Sequence, residues 1–265
     1  MVQLLVAAAL AAATPAALPP SASAAEPAMF VVRDADTTIY LFGTFHALDG
    51  HSNWFTDQVR DAFEQSNELV LETLIPEGPA TPADFGHAFR PPSVTPSASF
   101  LATTRMAISA GRSQGMQVNN GADMVLRHVA EAEGKRVAGL ETLEFQLDMF
   151  NHMPSPTAAP APKAGQPVGA DPASSLSKAM TDMQAAWKQG DQNVFVRMLD
   201  QLRNGSPETY RMMFTERNAN WANWIRARMQ APGTVFVAVG AGHLAGKDSV
   251  LVRLAERGIE SQRVN

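Results

Sequence analysis

Residues 38–46 read TIYLFGTFH and residues 234–243 read TVFVAVGAGH. Each is an apolar, β-rich run that ends in Gly-x-x-His. An apolar run of this length, closed by glycine, predicts a strand buried on both faces, as in parallel sheets covered by helices. Glycine permits a sharp turn at the strand end. The histidine is then presented at the C-terminal edge of the sheet, where α/β proteins gather functional side chains. A lone G-x-x-H carries little weight, because a strand-end histidine can simply cap backbone groups. Two copies, each with a helix after it, predict that His46 and His243 share one rim.

Working outward from these strands, Met29 to Arg33 and Thr37 to Phe42 predict a hairpin closed by Asp34-Ala35-Asp36. An amphipathic helix is expected around Trp54 to Gln65, then a short buried strand from Glu68 to Glu72. Residues 100–118 carry a weaker helical pattern, interrupted by Gly111 and Gly115. A clearer helix spans Ala122 to Glu133, followed by a strand from Arg136 to Leu140 and a further helix opening at Glu141. Helices are expected between Ser175 and Met229, the last of them continuous from Pro207. After the strand Thr234–Val239, a helix from Ser249 to Arg257 and a short edge strand close the chain. The fold class is therefore α/β, a mixed central sheet with flanking helices. Pro-rich stretches near 76–98 and 154–172 read as loops within a domain of residues 26–265.

Two carboxylates belong to the same rim. Glu72 ends the Leu69-Val70-Leu71 strand and Glu141 ends Val137–Leu140. If the strands are parallel neighbours, two imidazoles and two carboxylates meet in one crevice. Such a group can hold a divalent metal, or one carboxylate can act as general base on an activated water. The alternative is that each carboxylate caps the helix that follows it. Arg217 is a third kind of signal. It lies inside an apolar stripe of Tyr210, Met213, Phe214, Trp221, Trp224 and Ile225 on one helix. A guanidinium buried there needs an anionic partner, either the strand-end carboxylates or a substrate oxyanion, unless it snorkels at the edge of the stripe. Asp123, near a helix start, reads as a cap, and the tryptophans of the long helix read as core. His51, His87, His128 and His152 read as solvated. No P-loop, dinucleotide fingerprint, nucleophile elbow or HExxH is present.

Composition narrows the function classes. The 265 residues are 45% hydrophobic and 18% charged, and the net charge is −5. That balance is globular and carries no basic footprint, so nucleic acid is not an expected partner. The absence of cysteine excludes disulfides, thiolate metal sites and cysteine nucleophiles. Residues 1–25 hold an apolar run from Leu4 to Ala13, then Pro15, Pro19 and Pro20, then Ala22-Ser23-Ala24. This layout predicts a cleaved signal peptide and a periplasmic or secreted chain. The run is too short and too interrupted by proline to span a bilayer. No cysteine follows to carry a lipid, so no stable membrane anchor is expected.

In these residues the chain resembles the TraB/GumN family, which includes the Tiki-type membrane proteases. The matching pieces are LFGTFHALDG, ELVLET, GKRVAGLET, ERNANWANWI and TVFVAVGAGHLAGKDSVLVRLAERG, in that order. The resemblance implies a fold similar to erythromycin esterase and the ChaN haem-binding proteins, with an internal duplication. In the Tiki branch, paired G-x-x-H motifs and a glutamate accompany divalent-metal-dependent proteolysis. Carried over by position, the metal ligands are His46, His243 and Glu72, while Glu141 and Arg217 match further motifs. The expected activity is a periplasmic hydrolase that uses Mn, Co or Zn, with a peptide or other small substrate. The alternatives are a non-catalytic binding protein for a signal peptide, haem or saccharide, and an accessory factor in exopolysaccharide production. Between Ile75 and Gly121 the family has a longer helical region, whereas this chain is rich in proline and serine.

Overall fold

The computed structural model describes residues 26–74, 109–154 and 172–265. The expected loops at 76–98 and 154–172, the signal peptide and His87 fall wholly or almost wholly outside them. So does most of the weak helical pattern at 100–118, of which residues 109–113 are helical.

The predicted hairpin forms from β1 (Met29–Arg33) and β2 (Thr37–Thr44). Its turn is held by Asp34, whose Oδ1 accepts the backbone N–H groups of Asp36 (3.2 Å) and Thr37 (2.9 Å). This local bond explains why an acidic residue opens the turn. β2 then pairs in parallel with β5 (Gly233–Gly240), β5 with β3 (Glu68–Thr73), and β3 with β4 (Arg136–Glu141). A short β6 (Gln262–Arg263) lies antiparallel on β1, giving the order β4-β3-β5-β2-β1-β6. The sheet is mixed and the class is α/β, as the sequence predicts.

Both faces of this sheet are covered. Along β5, Phe236 and Ala238 face one core while Val235, Val237 and Val239 face the other. The first core takes side chains from α1 (Asp57–Glu64), α2 (Ala122–Ala132), α4 (Pro172–Lys188) and α5 (Asn193–Gly205). The second is closed by Trp221, Ala222 and Ile225 of α7 (Glu216–Arg228) and by Val250 and Leu254 of α8 (Val250–Ala255). Between β4 and α4 runs α3 (Leu143–His152). Double coverage is why β5 is an unbroken apolar run rather than an alternating one.

One expectation is corrected. The helix predicted to run unbroken from Pro207 to Met229 is instead α6 (Pro207–Tyr210), a π-helical turn at Arg211–Thr215, and then α7. Among the described residues, no helix is long and apolar enough to cross a membrane.

Candidate functional site

Four adjacent parallel strands end on the same edge, so their C-terminal residues form a row. Glu141 ends β4, and Glu72 lies next to the end of β3. Gly240 ends β5 directly opposite Thr44 of β2. His243 and His46 follow within three residues of those ends. The four expected groups therefore converge. The Glu72 carboxylate is the hub: its Oε1 lies 3.8 Å from His46 Nε2 and 3.7 Å from His243 Nε2. The same oxygen accepts the backbone N–H of Gly240 at 2.7 Å.

Arg217 reaches this row from the helix layer and is 4% exposed, so it is buried rather than snorkelling. Its Nη2 donates to Glu72 Oε2 at 2.7 Å and to Glu141 Oε2 at 2.8 Å, and its Nε donates to Glu141 Oε1 at 2.8 Å. Its guanidinium carbon stands 4.7 Å over the Trp221 ring. Both carboxylates outweigh the effect of burial and hold the guanidinium charged. Glu141 also accepts from Trp221 Nε1 (2.9 Å) and Gln146 Nε2 (3.3 Å), so its oxygens are saturated. Of the two carboxylates, Glu72 alone lines the crevice. Trp221, expected as core, is buried and also bonds to the site.

Two residues that sequence reasoning missed orient the imidazoles. His243 Nδ1 lies 2.6 Å from Asn218 Oδ1, and Asn218 Nδ2 donates to the Asp248 carbonyl at 2.8 Å. Because the amide nitrogen is committed to that carbonyl, its oxygen must face the ring. Nδ1 of His243 therefore carries the proton, and the unprotonated Nε2 can accept from Arg217 Nη1 at 3.4 Å. The ring is held between Phe214 and Trp221, with centroids at 4.8 and 4.4 Å. Asp123 faces His46 with Oδ1 3.3 Å from Nδ1, an ion-pair distance that falls short of hydrogen-bond geometry. It is not the helix cap its position suggested, since α2 has no side-chain cap bond. Its approach depends on Gly121, where a Cβ would collide with the His46 carbonyl. An aspartate one position inside a helix start reads as a cap, and an asparagine on a helix reads as solvated. Neither carries a local signal of its tertiary partner. His51, His128 and His152 are exposed, as expected.

The electrostatics divide the two imidazoles. Burial, with Arg217 and His46 nearby, lowers the His243 pKa to about 3 against the pull of Glu72, so this ring is neutral. Desolvation would also lower His46, but Asp123 and Glu72 outweigh it and raise that pKa to about 9. The His46 side chain is 57% exposed, so water moderates both effects. Burial would raise Glu72, yet His243, Arg217, His46 and the Gly240 N–H hold it at about 2. Because His243 is itself held neutral, the charges that stabilise the Glu72 carboxylate are those of Arg217 and His46.

The donor set can be tested against a divalent ion. Ligand atoms around a tetrahedral ion are separated by about 3.4 Å when metal–ligand distances are near 2.1 Å. The 3.7 and 3.8 Å separations between Glu72 Oε1 and the two Nε2 atoms are a few tenths of an ångström wider. Among the described residues no group of three His, Asp or Glu side chains closes around one point as a finished cage. Gly240 leaves the intervening space open. A Cβ there would lie 3.0 Å from His46 Nε2, 3.1 Å from Glu72 Oε1 and 3.7 Å from His243 Cδ2. Three carboxylates (Glu72, Glu141, Asp123) against Arg217 and the protonated His46 also leave the row net negative. Two imidazoles and one carboxylate are the donor types that suit a Zn-, Mn- or Co-type ion, and the two separations from Glu72 Oε1 are wider than a bound ion would hold them.

A family model described as TraB/PrgY/gumN matches residues 28–93 and 88–263. No curated protein and no solved structure is significantly similar to the chain.

Proposed function

The chain belongs to the TraB/PrgY/gumN family, and on that premise we propose that it is an exported, divalent-metal-dependent hydrolase acting on peptides. The observation that carries this reading is the approach of two imidazole nitrogens from separate strands to one carboxylate oxygen over the opening at Gly240. His46 Nε2, His243 Nε2 and Glu72 Oε1 would hold the ion. When bound, such an ion polarises a carbonyl and makes water nucleophilic near neutral pH. Arg217 orients Glu72 and is itself anchored by Glu141, whose saturated oxygens leave it no part in proton transfer. Asn218 and Asp123 stand on the Nδ1 sides of the two rings and leave both Nε2 atoms on the Glu72 side, where a bound ion would displace the His46 proton.

The test is to purify the chain without residues 1–25, measure bound Mn, Co and Zn, and assay a peptide library with and without chelator. The expected result is roughly stoichiometric metal and chelator-sensitive cleavage, both lost in the His46→Ala, His243→Ala double variant. A chain that neither contains nor takes up metal overturns the reading.

One observation favours a second reading, a binding protein without chemistry. Arg217 Nη1 lies 3.4 Å from His243 Nε2, where its charge opposes a cation. Under that reading a peptide or haem copurifies intact and the double histidine variant keeps wild-type function.

A further inference from the structure

The charged row is only one end of a crevice of about 500 Å³, a size at which pockets enclose a small ligand. Apart from Arg127 and Gln146, the other walls are largely apolar, and most of their side chains come from four separate elements. Met124 projects from α2, Met180 from α4, Phe195 and Met198 from α5, and Met213 and Phe214 from the π-helical turn. Phe214 packs on the His243 ring, so the apolar wall continues up to the imidazole without a polar gap. Methionine side chains are flexible and polarisable, and walls built from them adapt to apolar guests of different shape.

Three further facts select the guest. A sugar would leave this wall facing hydroxyls, at the cost of its burial. An anionic head group, whether of a fatty acid, a phosphate ester or an acidic saccharide, would meet the Glu72 and Asp123 carboxylates that line the crevice, while the two lining guanidinium groups are already engaged, Arg217 by Glu72 and Glu141 and Arg127 by Glu131. Thr44, which lines the crevice, is 1% exposed, and its hydroxyl has no hydrogen-bond partner. A buried hydroxyl is seldom left unpaired, and this one can either donate to or accept from a backbone amide. An uncharged chain that carries amides and a bulky apolar side chain satisfies all three.

We propose that this chamber is a specificity pocket for one large apolar side chain, such as Leu, Phe or Met, of an extended peptide whose neighbouring bond lies over the Glu72 row. Met198 and Met213 form its adaptable wall, and the Thr44 hydroxyl bonds the peptide backbone. The cleavage half of this statement rests on the hydrolase reading, whereas the binding half does not.

The experiment separates the two. Blocked peptides of one length, differing at a single position (Leu, Phe, Ser, Asp or Lys), are titrated calorimetrically into metal-stripped protein, where no turnover occurs. The same peptides are then assayed for cleavage with metal added. Leu and Phe peptides should bind roughly ten- to a hundredfold more tightly than Ser, Asp or Lys peptides. Met213→Asp should erase that preference while metal uptake is unchanged, and Met213→Leu should keep it. Thr44→Val should weaken all the peptides by a similar factor. Apolar peptides that bind no better than the Ser peptide, in a Met213→Leu protein of wild-type stability as well as in wild type, overturn the proposal. Apolar preference in binding without cleavage under any metal would leave the pocket standing and remove the hydrolase. Cleavage indifferent to the side chain would do the reverse.

Discussion

Gly240 and Arg217 act on the same carboxylate from opposite sides. The absent side chain of Gly240 keeps open the space bounded by His46 Nε2 and Glu72 Oε1, at 3.0 and 3.1 Å from where a Cβ would be. Gly240→Ala should therefore fold, because His46 is at the exposed rim and can shift, yet lose most of its metal uptake in equilibrium dialysis. Uptake equal to wild type would count against an ion at this position. Arg217 is the opposite case, since the whole guanidinium is committed. Arg217→Met leaves Glu72 and Glu141 buried without a counter-charge and should cost about 3–5 kcal/mol in urea denaturation. A loss below about 1 kcal/mol, the range of exposed ion pairs, would mean that solvent reaches the pair. Arg217, His46, His243, Glu72 and Glu141 were legible in the sequence because each breaks a local pattern, as a charge in an apolar stripe or a polar group closing an apolar strand. Asp123 and Asn218 break none. Their roles come from contacts with residues 77 and 25 positions away in the chain.

The elements differ in how far sequence could define them. β1 and β3 to β5 lie within two residues of their expected bounds, because a strand buried between two helical layers writes its own apolar run. The sequence from Pro207 reads as one continuous helix because the apolar stripe passes through the π-helical turn without losing residues. A widened turn shifts phase, not composition. That turn brings Met213 and Phe214 to the crevice, and the preceding Tyr210 ties the helix to the loop before α8 through Tyr210 Oη donating to Asp248 Oδ2 at 2.9 Å. Burial, followed by the hydrogen bond and charge of Asp248, raises the Tyr210 pKa from 10.0 to about 12. The neutral phenol is favoured in the folded state, so its contribution is complete below pH 10 and is lost as pH rises toward 12. Melting temperatures measured from pH 9 to 12 should fall more steeply for wild type than for Tyr210→Phe. Parallel curves would show that the phenol does not couple to unfolding.

At the scale of the whole molecule, the four parallel strands gather donors from widely separated parts of the chain. An ion bound there is bound by the folded state alone, so it must stabilise the fold by mass action. At a hundredfold excess over its dissociation constant the gain is about 2.7 kcal/mol, or roughly 5–10 °C in a chain of this size. Differential scanning of stripped protein with added Mn, Co or Zn should show that rise for at least one metal in wild type and none in the His46→Ala, His243→Ala variant. An equal rise in both would assign the binding elsewhere.

The pairing of β2 with β5, with Thr44 facing Gly240, has a temporal side as well. His46 is synthesised well before His243. The carboxylate between them gains its Gly240 N–H partner only when β5 inserts between β3 and β2. A nascent or still-threading polypeptide thus carries the ingredients of the centre but no centre, and whatever the rim does can begin only once the last core strand is seated.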